Sequence, residues 1–473
     1  MRAAVVGLVV LGLFLSGCVS EDSSGKREKV SKGGTRAEAA EVLGPVNGTG
    51  PLPVFTEPKV IDTLRAGGEP VITTTTKGTI LIGAHPGYTH WHPSPTSVPP
   101  TSQELIVPTQ GQSYMWRSTD AGKTFKSVSL LPVDLPNSGP RGVGQGVSDP
   151  DFAIDSAGRI YFTDLEALAS ASVSWSDDDG ATWLMGNNFA SGGFIDRQWL
   201  ATHNKTVYFR GNGVNSMRRS DDGGMTWQNL PSAGCGGDIV AHPVSGKLYV
   251  GCGGGFSMSI DRGQTWKRFT TGTGYGGPIQ NEPAIDAAGN VYIAADPGRK
   301  DIVVSVTTDD GLNWANISLK PFFPDLESGT LLWPWISAGS DGRFVVTFYG
   351  SPLPTAYNKL EAEWFVYNAI VLNATTGSPQ VYASKLTPKP FHKGPMCQGG
   401  TGCQATTAVN ANSDRRLGDF FENTIDKDGF VHVVYSDTQT KPTDTISHVG
   451  YVRLLDGPRL VDGPVPKGFP TMG

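Results

Sequence analysis

Five octets with one grammar recur through the middle of this chain, and they restrict its fold more than any other feature. Ser118–Phe125 reads STDAGKTF and Ser176–Trp183 reads SDDDGATW; Ser220–Trp227 (SDDGGMTW), Ser259–Trp266 (SIDRGQTW) and Thr307–Trp314 (TTDDGLNW) follow. Each is Ser/Thr-x-Asp-x-Gly-x-Thr/Asn-Trp/Phe, with the acid at Asp120, Asp178, Asp222, Asp261 and Asp309. A carboxylate that can accept its own turn's amides, followed by a glycine free to take positive φ, is the chemistry of a tight β-hairpin. The closing aromatic opens the next strand and is large enough to anchor it on a neighbouring sheet. The five acids therefore read as structural turn-formers, not as catalysts or metal ligands. Recurrence at tens of residues marks a repeat architecture.

A second repeat interleaves with the octets: an apolar run, a turn with Gly or Asn, then a β-branched or aromatic run. It occurs at Pro70–Gly83, Pro150–Thr163, Trp199–Arg210, Asp238–Gly251, Pro283–Ala295, Trp335–Gly350 and Asp419–Tyr435. Each reads as two strands and a short turn. Seven hairpins, five followed by an octet hairpin, give an all-β fold: a β-propeller of four-stranded antiparallel blades. Seven blades are expected, with six the alternative if one hairpin belongs to an insertion. The last two blades would take outer hairpins near Val366–Ser378 and His448–Val461. With 61 Gly, 34 Pro and 17% charged residues, the chain is rich in turns and poor in helix-favouring charge. A ring of blades buries the faces that no single blade can bury.

The octets resemble the Asp-box, or BNR repeat, of sialidases and other β-propeller proteins. That resemblance implies a propeller with the boxes at the outer hairpins, away from the ligand face. It leaves activity open, since the family includes sialidases, other glycosidases, receptors and assembly factors. A sialidase holds its substrate's carboxylate with three arginines and adds a Tyr–Glu nucleophile pair and an Asp acid/base. The arginines available are Arg65, Arg197, Arg210, Arg415 and Arg416, and the late tyrosines are Tyr435 and Tyr451. The family's early Arg-Ile-Pro is not matched, for Arg65 is followed by Ala66-Gly67-Gly68.

Residues 1–18 carry Arg2, an apolar run Ala3–Phe14 and then Leu15-Ser16-Gly17-Cys18, the organisation of an export signal. The last four resemble the lipobox of bacterial lipoproteins, which implies lipidation at Cys18 and a cell-surface or periplasmic, membrane-anchored protein. Residues 19–55 read as a flexible tether and 56–473 as the propeller. Cys235 and Cys252 sit at mirrored distances from a turn, and Cys397 and Cys403 flank a small loop. In an exported chain both pairs are expected as disulfides. The net charge of −6 argues against a nucleic-acid partner.

Acids precede the innermost strands, where a propeller's side chains look toward its axial funnel. They are Glu69, Asp149, Asp151 and Asp238, read as substrate-binding, and Asp196 beside Arg197, Glu282, and Asp419 behind Arg415 and Arg416. With Tyr435 the second group makes the candidate catalytic set for a sialidase-like exo-glycosidase. Such acids equally suit a non-catalytic propeller that binds a glycan or an envelope protein. No cofactor is implied, and Ca²⁺ is the ion such carboxylates would accept. No motif fixes a metal site. The cluster His85, Tyr88, His90 and His92 opens a third reading, a polysaccharide lyase. A monomer is expected.

Overall fold

The computed structural model describes residues 41–63, 65, 67–85, 113–128, 148–166, 170–190, 195, 197–212, 217–271, 282–398, 414, 416–440 and 447–463. They form seven antiparallel sheets arranged as the blades of a propeller. The innermost strands are Gly68–Thr74, Ser148–Ile154, Trp199–His203, Ile239–Ala241, Pro283–Ile285, Thr330–Ala338 and Asn423–Ile425. Each neighbours the next around the ring, and that of blade 7 neighbours that of blade 1. All seven first hairpins expected from sequence are present, and the blade count is seven.

Apolar clusters fill the gaps between blades. Leu81, Met115 and Phe162 join blades 1 and 2, Tyr161, Val173 and Phe209 join blades 2 and 3, and Val434, Tyr451 and Ile82 join blades 7 and 1. The period-2 alternation of each strand sends side chains to the two neighbouring blades in turn.

The octets connect third to fourth strands in blades 1 to 5, as turn chemistry requires. In blade 2, Ser176 Oγ donates to Asp178 Oδ1 at 2.8 Å and accepts the Gly180 amide at 2.9 Å. Asp178 also accepts the Thr182 amide at 2.8 Å and the Thr182 hydroxyl at 2.6 Å. The same set recurs at Asp120, Asp222, Asp261 and Asp309. Gly180 takes φ 78°, and a Cβ there would come within 2.8 Å of Leu81 on blade 1. The turn thus needs glycine twice: for its backbone and for its seat on the preceding blade.

The beginning of the described chain departs from the expected tether. Glu41–Val42 adds a parallel edge strand to blade 5 and Val46–Asn47 another to blade 6. Val54–Phe55 and Lys59–Val60 then pair antiparallel with His448–Asp456. Blade 7 therefore draws its fourth strand from the chain's beginning, not from an outer hairpin within 448–461. Blade 6 makes its own outer pair, Glu363–Leu372 with Gln380–Lys385.

Cys235 and Cys252 are bonded, with Cα atoms 4.9 Å apart, across the first hairpin of blade 4. Cys397 is disulfide-bonded too, while Cys403 lies outside the described residues. Among the described residues no helix is long and apolar enough to cross a membrane.

Candidate functional site

The axis-facing edge of an innermost strand has no strand beside it, so its amides need other acceptors. The acids before these strands meet that need. Asp151 Oδ2 on blade 2 accepts the Leu200 amide of blade 3 at 2.6 Å, and Glu422 Oε2 on blade 7 accepts the Ile72 amide of blade 1 at 2.9 Å.

A common register underlies this. The first turns open at residues 75, 155, 203, 242, 286, 339 and 426, shown by pairs such as Asp155 N to Arg159 O and Asp286 N to Asn290 O. Four residues earlier stand Val71, Asp151, Trp199, Asp238, Glu282, Trp335 and Glu422. Four blades thus present a carboxyl at one level of the axis and two present a tryptophan. Trp199, Trp335 and Phe420 cluster there, with ring centroids 5.3–6.0 Å apart.

A second network lies toward the strand starts. Glu69, Asp149 and Arg197 hold φ of 46°, 47° and 55°, next to a register shift in blade 1. Such bulges re-aim the side chains they carry. Arg197 Nη2 is 2.7 Å from Asp419 Oδ2, and its amide donates to Asp149 Oδ2 at 3.1 Å. Glu69 Oε1 accepts the Asp419 amide at 2.8 Å, and its Oε2 lies 3.2 Å from His85 Nε2. Asp149 shares a hydrogen bond with Glu69; burial first, then the Glu69 charge, pushes its pKa up to about 7. Asp149 is therefore partly protonated near neutral pH, with Glu69 as its hydrogen-bond partner.

The axial carboxyls are displaced the same way. Burial, then the charge of Asp238, raises both Asp151 and Glu282 well above the ordinary range; burial, then Asp151, does so for Glu422. Burial lifts Asp238 to about 7, with Arg210 opposing.

The described members of the expected site set fall into separate surroundings. Glu69, Asp149, Arg197 and Asp419 share the network at the strand starts, whereas Asp151, Asp238 and Glu282 share the axial ring. Arg416 forms a fork with Asp414, Nε at 3.0 Å from Oδ1 and Nη2 at 2.6 Å from Oδ2. Arg210 donates to the Cys235 carbonyl. Tyr435 is 2% exposed within the apolar cluster of Phe391, Phe421 and Val452. Asp196, Arg415, Tyr88, His90 and His92 lie outside the described residues; His85 is the member of that cluster in view, and it pairs with Glu69.

Glu422 was missed by the sequence reading, which stopped at Asp419. The signal was a pentad: Asp151-Phe-Ala-Ile-Asp155, Glu282-Pro-Ala-Ile-Asp286 and Glu422-Asn-Thr-Ile-Asp426 share acid-x-Ala/Thr-Ile-Asp. The second acid in each accepts the amides of its turn, as Asp155 does from Ala157 and Arg159.

No family model and no curated protein matches the chain. Among solved structures it is similar to a protein of unknown function from Dyadobacter fermentans, at 14% identity and TM-score 0.45, over 85% of this chain and 99% of that one. It is similar to YCF48 bound to a peptide, at 10% identity and TM-score 0.44, over 90% and 100%. The intramolecular trans-sialidase of Ruminococcus gnavus, in complex with oseltamivir carboxylate, gives 14% identity and TM-score 0.39, over 83% and 95%. At these values the blade count and the sites rest on this chain's own strand pairs and side chains.

Proposed function

We propose that this chain is an exported, glycan-directed propeller that binds its ligand without sialidase-type hydrolysis. The observation that carries this reading is that the two described arginines of the expected catalytic set are already engaged. Arg197 holds Asp419 and Arg416 holds Asp414, so neither guanidinium offers a substrate carboxylate the open fork it would need. Tyr435, the expected nucleophile, sits in the core. The glycan as ligand class rests on the likeness of the octets to the Asp-box. Export rests on the Cys235–Cys252 disulfide, which suits an oxidising compartment. Lipidation at Cys18 and a monomeric state belong to the same proposal.

One observation favours a second reading. Asp149 is hydrogen-bonded to Glu69 beside Arg197 and is raised to about 7, and a carboxyl titrating near neutrality is suited to general acid/base work. In that reading the pair serves a hydrolase, with Asp149 the acid. Binding to a panel of sialylated and uronate-containing glycans, with product release followed in parallel, separates the two. Binding without turnover supports the first reading. Turnover abolished by Glu69→Gln establishes the second, and turnover abolished by Arg416→Ala would show that its pairing opens to admit substrate and would overturn the first.

A further inference from the structure

Below the tryptophans and phenylalanine that fill the axis, a cavity of about 400 Å³ runs along the seven inner strands toward the first turns. Its inner end carries the carboxyls of Asp151, Asp238, Glu282 and Glu422. Its walls are small or aliphatic, with Ala153, Ala201 and Ala284 at one level and isoleucines next to them. Exposure rises along it: Glu282 and Glu422 are 4% and 5% exposed, while Thr73, Thr202 and Ser337 nearer the turns are half-buried. The channel is acidic at its closed end, greasy along its length and hydroxyl-lined toward its mouth.

The acids are not all used by the fold. Glu422 spends Oε2 on the Ile72 amide, but its Oε1 has no hydrogen-bond partner, and neither has Glu282 Oε1. Buried carboxylate oxygens without donors are costly, and a missing donor is the direct way to relieve them. A bare metal ion does not fit the spacing, because among the described residues no three acid, His or Cys side chains converge closely enough to hold one. The donor must instead reach separate carboxyls with several N–H groups, as an ammonium with three protons does. The aliphatic wall calls for a methylene stem, and Trp335 lines the inner end beside the acids.

We propose that the axial channel binds a slender aliphatic polyamine, its leading ammonium among Glu282, Glu422, Asp151 and Asp238 and its methylenes against the alanine and isoleucine wall. This site is separate from the Glu69–Asp149 network and stands without the glycan reading. Its volume falls in the range of small-molecule sites.

The test is calorimetric titration of the full chain with spermidine at pH 7.5, with calcium chloride and 1,5-pentanediol as separate arms. Spermidine is expected to bind one-to-one while the diol, which has length without charge, does not. Protons should leave the protein as the amine enters, seen as a dependence of the heat on the buffer's ionisation enthalpy. Glu282→Gln and Glu422→Gln are each expected to weaken spermidine at least tenfold. Both are isosteric and keep the Ile72 amide satisfied, so the apo variants should melt no lower than the parent. Binding of calcium but not spermidine would overturn the proposal, as would binding of neither. Spermidine binding unchanged in the double variant would place the amine elsewhere and overturn it equally.

Discussion

Replacing Asp149 by Asn tests whether a proton sits between it and Glu69. Asp149 accepts the Arg197 amide through Oδ2 and is hydrogen-bonded to Glu69, to which its protonated form can donate. An asparagine offers the same pair, a carbonyl oxygen and an N–H, with no charge to lose. A carboxyl raised to about 7 when folded, against 3.8 for the ordinary group, binds its proton more tightly folded than unfolded. Its contribution to stability is most favourable below pH 3.8, declines as pH rises between there and 7, and is least favourable above 7. The shift of 7 − 3.8, roughly 3 units, sets a ceiling of about 4 kcal/mol, and sharing with Glu69 and local relaxation bring the expected effect to about 1–3 kcal/mol. Asp149→Asn should therefore be more stable than the parent at pH 8, and the gain should shrink toward pH 4.5. At about 2 cal/mol/K of unfolding entropy per residue, that is about 1–3 °C in a chain of this size. Differential scanning fluorimetry across pH reads it. Asn also tolerates the φ of 47° somewhat better than Asp, a gain independent of pH, so the change of the difference with pH is the decisive quantity. A variant destabilised by the same amount at pH 4.5 and pH 8 would refute the shared proton.

Other consequences are open to direct measurement. Replacing Cys235 and Cys252 together by serine should cost about 2–3 kcal/mol for a loop of this length, read as a lowered melting temperature without reductant. Asp178→Ala strips the octet turn of its amide and hydroxyl acceptor and should cost about 1–2 kcal/mol, with hydrogen exchange rising first at residues 178–183. Slight burial pushes Asp178 up, but the hydroxyls of Thr182 and Ser176 and the amides of Thr182 and Ala181 outweigh it and hold it below the ordinary range. The stability it supplies is thus present above about pH 4 and fades as pH falls through its lowered value. A chain beginning at residue 41 should melt like the parent, whereas one beginning at residue 61 should melt markedly lower and associate through the bared edge of His448–Asp456.

What the sequence disclosed and what it withheld divide along one physical line. The octets and first hairpins are local: Asp178, Gly180 and Thr182 bond among themselves, so their spacing alone carries the turn. The same holds for the disulfide, because Cys235 and Cys252 face each other across a single hairpin. The fourth strand of blade 7 was illegible for the opposite reason. Val54–Phe55 and Lys59–Val60 have no pattern of their own, and their structure comes from backbone pairing with a strand nearly 400 residues away, as Arg453 N to Thr56 Oγ1 illustrates. Residues 41–55 look like a linker by composition because an edge strand needs little more than free amides and carbonyls. At the site, the acids were visible but their allegiance was not. Asp149 and Asp151, two residues apart, belong to different networks because a bulge turns one outward and a regular strand holds the other on the axis.

The closure of blade 7 also sets a timetable. The segment holding Val54 to Val60 is among the first parts of the folded domain to be synthesised, yet the strand it completes, His448–Asp456, is among the last. Until that strand arrives, blades 1 to 6 form an open arc with two unsealed flanks and a leading segment waiting without a partner. The ring is therefore shut only after His448–Asp456 has been made, through pairs about 400 residues apart in sequence, which are the slowest kind to form.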